Sequence, residues 1–175
     1  MTLLLETDRL LLRPLEISDA AALFEMDRNP AVHKYLWQKP STKIGEVIKV
    51  IEYVQRQYKE NNIGRYATVL KETGEFIGWT RIKFVNDHVE NGNTNFFDYG
   101  YRLDEKFWNN GYATEVTKFW LEYGFKEMNI KVLNAYTHAE NRASNRVLSK
   151  CGMTFMEDYP DTDGVTWKWW QIENT

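Results

Sequence analysis

The chain has 175 residues, 22 of them basic and 25 acidic, for a formal net charge of -3. With 43% hydrophobic and 27% charged residues it has the make-up of one globular domain, neither disordered nor membrane-embedded. No basic run marks a nucleic-acid face, no apolar stretch reaches bilayer length, and the N-terminus lacks the basic lead of a signal peptide. The expectation is therefore a cytoplasmic protein, monomer or homodimer, with neither nucleic acid nor membrane as a partner.

In chain order, residues 9–15 (RLLLRPL) read as a short strand ending at Pro14. Ser18 and Asp19 offer a cap for a helix running to about Arg28, which Asn29-Pro30 stops. Ser41 or Thr42 caps a second helix, whose apolar positions Ile44, Val47, Ile48, Ile51, Val54 and Tyr58 lie on one helical stripe. Residues 65–71 and 75–85 are strand-like and joined by the hairpin signal Glu72-Thr73-Gly74. After a polar turn, residues 96–103 (FFDYGYRL) form a third strand of an antiparallel meander. A helix follows Trp108-Asn109-Asn110-Gly111-Tyr112-Ala113 and runs to about Met128. Residues 131–137 are a strand, 141–151 a helix closed by Gly152, and residues 153–159 and 165–171 the last two strands. This order describes a single α/β (α+β) domain over 1–175, with one mixed, mostly antiparallel sheet of about seven strands flanked by helices.

Three positions are candidates for chemistry. The strand-to-helix junction at 108–115 exposes unpaired backbone N–H groups and the positive end of a helix dipole, and Gly111 allows a close approach to that backbone. Such a junction suits a pyrophosphate, although a glycine at a helix start is also ordinary. Neither a Walker A pattern nor a G-x-G-x-x-G fingerprint is present. On the helix at 141–151, Ser144 shares a face with Val147, Leu148 and Cys151; a hydroxyl in an apolar stripe is either a reactive group or a serine bonding back to Glu140. Asn141 is in the first instance an N-cap. Asp98 shares a strand face with Phe96 and Gly100, as a solvated charge or as a site residue, and Gly100 permits a bulge or a close ligand approach. His33, His88 and His138 have no metal-ligand spacing with Cys151, so no metal is expected. The lone Cys151 reads as a buried, inert thiol. No G-x-S-x-G elbow is present to support hydrolase chemistry.

These signals occur together in a recognisable order. Thr7 to Leu15, Ser18-Asp19-Ala20, Asp98 to Leu103, Phe107 to Glu115 and Glu140 to Met153 resemble the GNAT acetyltransferase superfamily nearly end to end, in the branch similar to ribosomal-protein N-terminal (alanine/serine) acetyltransferases. The resemblance implies that the strands near 96–103 and 131–137 splay apart and admit acetyl-CoA as co-substrate. The pyrophosphate would rest on the backbone of Asn109, Asn110, Gly111, Tyr112, Ala113 and Thr114. The family's phosphate loop commonly carries two glycines; here Asn109 and Asn110 precede Gly111, and Ala113 stands at the second glycine.

The resemblance further implies an N-acetyltransferase acting on a primary amine, most naturally a protein or peptide N-terminus. Asp98 stands where relatives place a strand glutamate and would accept the amine proton, directly or through water. The backbone N–H groups of Tyr99, Gly100 and Tyr101 would hold the thioester carbonyl. The tyrosine that many members use to protonate the leaving thiolate is replaced by Leu148, and Ser144 takes that role in this branch, with Asn141 orienting it or the pantetheine arm. Tyr35, Trp37 and Trp79 are candidate walls of the acceptor pocket, or else caps of the core. Two alternatives remain: acetylation of a small amine (polyamine, amino acid or aminoglycoside), or a non-catalytic acyl-CoA-binding module.

Overall fold

The computed structural model describes residues 3–36 and 39–174, apart from the side chain of Asn61; Trp37 lies outside the described residues. Eight strands form one sheet in the order β1-β2-β3-β4-β5-β6-β8-β7. They are β1 (Leu5–Glu6), β2 (Leu10–Pro14), β3 (Arg65–Leu70), β4 (Phe76–Val85), β5 (Phe96–Leu103), β6 (Val132–His138), β7 (Thr154–Pro160) and β8 (Thr166–Glu173). The helices are α1 (Ala20–Asp27), α2 (Pro30–His33), α3 (Ile44–Asn61), α4 (Tyr112–Lys126) and α5 (Arg142–Lys150). The strand beyond the expected seven is the two-residue β1, which pairs antiparallel with β2 and is too short to leave a periodicity. The chain divides into two compact units, Met1–Arg81 with Tyr101–Tyr112, and Ile82–Gly100 with Ala113–Thr175.

In the first unit the core is built by alternation on the strands and a stripe on the helices. Leu10 and Leu12 of β2 are fully buried, as are Val47, Ile51 and Val54 of α3. Helix α3 does not begin at Ser41 or Thr42. Lys43 is its N-cap residue without a side-chain cap, and Glu46 instead accepts from the Thr42 N–H at 3.0 Å. Its other end closes on Asn62 in the left-handed conformation (φ 55°), with the Asn62 N–H donating to the Tyr58 carbonyl. Asn29-Pro30 does end α1, but it also starts α2. The Asn29 side chain accepts from the Ala31 N–H, and Pro30 supplies a first-turn residue that needs no donor. Asp19 holds no helix N–H with its side chain; it grips both guanidinium nitrogens of Arg13 at 2.7 and 2.8 Å and accepts from the Glu16 N–H.

Gly78 in β4 shows why that strand needs a glycine. Its φ is 146°, and a Cβ there would lie 2.1 Å from the Arg102 carbonyl oxygen and 2.8 Å from Leu103 Cα. No side chain fits against that backbone.

In the second unit β6 runs antiparallel to β8 along its whole length, and β8 to β7. Tyr159, Trp167 and Trp169 form an aromatic cluster joined by Phe96 and Tyr136. Phe96 and Trp169 meet edge to face with centroids 5.1 Å apart. Helix α4 covers the opposite face, where Gly124 packs beside Ile82 and Leu133 and the Thr117 and Tyr99 hydroxyls are 2.8 Å apart. The Thr117 hydroxyl also donates to the Ala113 carbonyl.

Candidate active site

Strands β5 and β6 are parallel neighbours, but their register consists of two pairs, Phe97↔Leu133 and Asp98↔Asn134. Beyond Asp98 and Asn134 the strands part, although each continues for several residues.

The root of this opening is polar and ordered. Asp98 is 2% exposed and Asn134 4%, which removes the solvated-charge reading of Asp98. The Asn134 amide donates to the Phe97 carbonyl at 3.3 Å and its oxygen accepts from Gln171 at 3.2 Å. Asp98 lies two residues from Phe96 on the face of the aromatic cluster, and its charge helps to raise the pKa of Tyr159. Burial is the larger cause of that rise, followed by the hydrogen bond of the Tyr159 hydroxyl to Glu90 at 2.6 Å.

At the other end of β6, Trp170 Nε1 donates to the Thr137 hydroxyl at 3.0 Å, Thr137 to Asn145 Oδ1 at 2.5 Å, and Asn145 to the Ala139 carbonyl at 3.0 Å. This chain fixes the start of α5 against β6 and β8. Asn141 is the N-cap, its Oδ1 accepting from the Ser144 N–H at 3.2 Å. Its capping role and its contact with Ser144 are thus one interaction. Ser144 is half-buried, on the same side of α5 as Cys151. Cys151 is half-buried rather than fully so; its thiol donates to the Thr114 carbonyl at 3.6 Å, and burial raises its pKa, which keeps it a poor nucleophile.

The loop before α4 belongs, up to Tyr112, to the first unit. Asn109 (φ 61°) and Gly111 (φ 81°) are both left-handed, a backbone conformation that also occurs in the nests by which loops bind anions. Asn109 adopts a conformation otherwise left to glycine because its short polar side chain tolerates it. Ala113 is helical and has no need of glycine there. The Asn110 amide ties the loop to the Phe107 and Trp108 carbonyls at 3.2 and 2.9 Å. Arg9 donates to the Asn110 carbonyl at 2.9 Å and covers the Tyr112 ring at 4.5 Å, bringing a cation to this loop.

Tyr35, Trp79 and Tyr101 also fall in the first unit. Tyr35 is half-buried under Lys34, whose ammonium stands 5.1 Å from the ring centre. Trp79 is 6% exposed, within the core cluster, and its ring contacts the guanidiniums of Arg65, Arg81 and Arg102. Asp98, Tyr99, Gly100, Ala113, Thr114, Asn141 and Ser144 all lie in the second unit, the first three on one strand and the last two at the start of α5. Sequence reasoning passed over Arg9, Asn134 and Asn145. Asn134 carried a readable signal, a carboxamide within the otherwise apolar run Val132 to Ala135; Arg9 carried none, because its role depends on Asn110, about a hundred residues away.

Among the described residues, no group of three or more His, Cys, Asp or Glu is arranged to hold a metal ion, and no helix is long and apolar enough to cross a membrane. Residues 9–154 match the acetyltransferase (GNAT) domain family. N-acetyltransferase p20 of Bacillus licheniformis is 29% identical over 91% of this chain and 89% of its own length. A GNAT-family acetyltransferase of Bacillus anthracis superposes with a TM-score of 0.80 at 23% identity, covering 98% of both chains. A ribosomal-protein-serine acetyltransferase of Vibrio cholerae superposes with a TM-score of 0.81 at 17% identity, again over 98% of both. At those identities the two superpositions speak for the fold. The fold is that of the N-acetyltransferases, with an open mixed sheet and a central strand pair that parts. The chain belongs to the GNAT acetyltransferase family.

Proposed function

We propose that the chain transfers the acetyl group of acetyl-CoA to the α-amino group of a protein or peptide N-terminus. The observation that carries this reading is the parting of β5 and β6 beyond Asp98 and Asn134. It ends the pairing of β5 with β6 beside a buried carboxylate, where a ligand carbonyl is proposed to meet the main chain at Gly100. The family uses acetyl-CoA, and the left-handed Asn109 and Gly111 with Arg9 bonded to the Asn110 carbonyl support a place for the pyrophosphate on this loop. The backbone N–H groups from Asn109 to Thr114 would carry that load, and α4 adds its dipole. The cytoplasm, where acetyl-CoA and newly made N-termini meet, is the matching compartment.

Transfer needs a neutral amine, a polarised carbonyl and a protonated leaving thiolate. An α-amino group has a reference pKa of about 7.7–8.0 against about 10.4 for a lysine side chain, so a weak base is enough for an N-terminus. Asp98 is proposed to accept that proton through a water, since its side chain is one methylene shorter than glutamate. As the amine nitrogen bonds to the thioester carbon, the N–H groups of Tyr99 to Tyr101 are proposed to stabilise the negative charge that moves onto the carbonyl oxygen, and its collapse breaks the C–S bond. Ser144 is proposed to pass a proton to the departing sulfur, with Asn141 fixing the first turn of α5. A peptide N-terminus is the proposed acceptor, in line with a ribosomal-protein-serine acetyltransferase of Vibrio cholerae whose fold the chain shares. The test is thiol release from acetyl-CoA with peptides of free and blocked N-termini. Release that requires the free α-amine supports the reading; release driven equally by a blocked peptide bearing lysine contradicts it.

A further inference from the structure

Helix α5 is nine residues long and belongs to the second unit, where it is held unevenly. Its packing anchor, Leu148, is 2% exposed and lies past the middle of the helix. The first turn, which carries Ser144, is exposed or half-buried. Burial therefore does little to hold that turn, and short helices fray at their ends. Side-chain hydrogen bonds hold it instead. Asn145 Oδ1 accepts from the Thr137 hydroxyl at 2.5 Å, and the Asn145 amide donates to the Ala139 carbonyl at 3.0 Å. One side chain thus grips the strand and the connecting turn together.

The Thr137 hydroxyl is engaged on its other side as well, accepting from the buried Trp170 Nε1 at 3.0 Å. Trp170 belongs to β8, which pairs with every residue of β6, so the chain from Trp170 through Thr137 to Asn145 passes the position of the sheet on to α5. The same strand β6 stands opposite Asp98 through Asn134. Thr137 is three residues further on, about 10 Å along the strand. The strand that faces the proposed base therefore also sets, through Thr137 and Asn145, the helix turn that carries the proposed acid. Ser144 is next to Asn145 in the chain, and its N–H donates to Asn141 Oδ1 at 3.2 Å.

We propose that Thr137 and Asn145 are positioning residues for acetyl transfer, holding the first turn of α5 so that the Ser144 hydroxyl meets the leaving sulfur. The inference rests on the role proposed above for Ser144. In that step the Ser144 proton passes to the sulfur as the sulfur departs with the C–S electron pair, and a water returns a proton to the serine. Proton transfer demands hydrogen-bond reach, so a turn displaced by about 1 Å costs about a hundredfold in rate. Binding of the cofactor does not depend on that proton and changes less.

The test is a double-mutant cycle on steady-state thiol release, with kcat counted per coenzyme A site found by calorimetry, so that unfolded chains do not enter. Thr137→Val keeps the shape and removes the hydroxyl that Trp170 and Asn145 share. Its kcat should fall at least about tenfold, with KM for acetyl-CoA within about twofold. Thr137→Ser, which keeps the hydroxyl, should stay within about threefold of the wild type. Asn145→Ala should behave as Thr137→Val does, and it carries the test if the valine variant does not fold. On a Ser144→Ala background neither substitution should lower kcat by more than about twofold further, because the group they position is gone. Variants that lower Tm and leave kcat within about twofold assign the hydrogen bonds to stability alone and overturn the inference. Losses that multiply with that of Ser144→Ala also overturn it, since Thr137 and Asn145 would then act elsewhere. Ser144→Ala at the wild-type kcat removes the proposed acid and the inference with it, while acetyl transfer stands. If no amine is acetylated, the transferase reading itself falls, and the positioning role falls with it.

Discussion

Asp98 stands directly opposite Asn134 at the last paired position of β5 and β6, and both side chains are buried. A carboxylate and a carboxamide at the root of an opening between parallel strands are expensive to bury unless each is held. Asn134 is held by Gln171 and the Phe97 carbonyl. The pair marks where the register of β5 and β6 ends and where the ligand is proposed to enter.

If Asp98 takes the amine proton, Asp98→Asn preserves shape and removes the base. Steady-state thiol release should show kcat reduced by about 10²- to 10⁴-fold, with a far-ultraviolet spectrum like that of the wild type. An activity within twofold of the wild type would remove Asp98 from the chemistry.

Asn134 is assigned to architecture. Asn134→Leu leaves the Phe97 carbonyl and the Gln171 amide without their partner, and urea unfolding should report a loss of about 1–3 kcal/mol. An unchanged midpoint would mean that the opening is held by other contacts.

In the loop before α4, Gly111→Val forces a branched residue into φ 81° and brings a Cβ to 3.4 Å from Arg9 Nη2. A left-handed conformation costs a non-glycine residue about 1–2 kcal/mol, so KM for acetyl-CoA should rise roughly tenfold with kcat less affected. Arg9→Ala should move KM in the same direction.

Gly78→Ala tests the packing of β4. The added methyl meets the Arg102 carbonyl oxygen at 2.1 Å, which is backbone and cannot rotate away. Thermal unfolding should show a destabilisation of at least about 3 kcal/mol.

His33 predicts a pH dependence. Its folded pKa lies below the ordinary 6.5 because burial and Arg102 oppose the charged ring. The unfolded chain therefore binds the proton more readily, and stability is full above pH 6.5 and falls as the pH drops through 6.5 toward the folded value. His33→Asn should flatten the Tm profile between pH 7 and pH 5; an identical slope in the variant would contradict the assignment.

The elements that the sequence revealed well are those with a strong local period. The alternation over 96–103 matches β5 end for end, and the stripe from Ile44 to Tyr58 starts with α3 and stops three residues before its end. What stayed hidden depends on distant partners. β1 exists because Leu5 and Glu6 meet Leu12 and Leu11, and the cap expected from Asp19 is spent on Arg13 instead. Of the proposed site residues, Asp98, Gly111 and Ser144 stand in short motifs legible in the sequence. Asn134 and Arg9 do not, because their meaning lies in contacts between residues far apart in the chain.

The most direct measurement is a calorimetric titration of the wild-type chain with coenzyme A. One site per chain with a dissociation constant between about 1 μM and 1 mM is expected, weakened in Gly111→Val. Absence of any heat of binding from a folded sample would contradict the account at its centre.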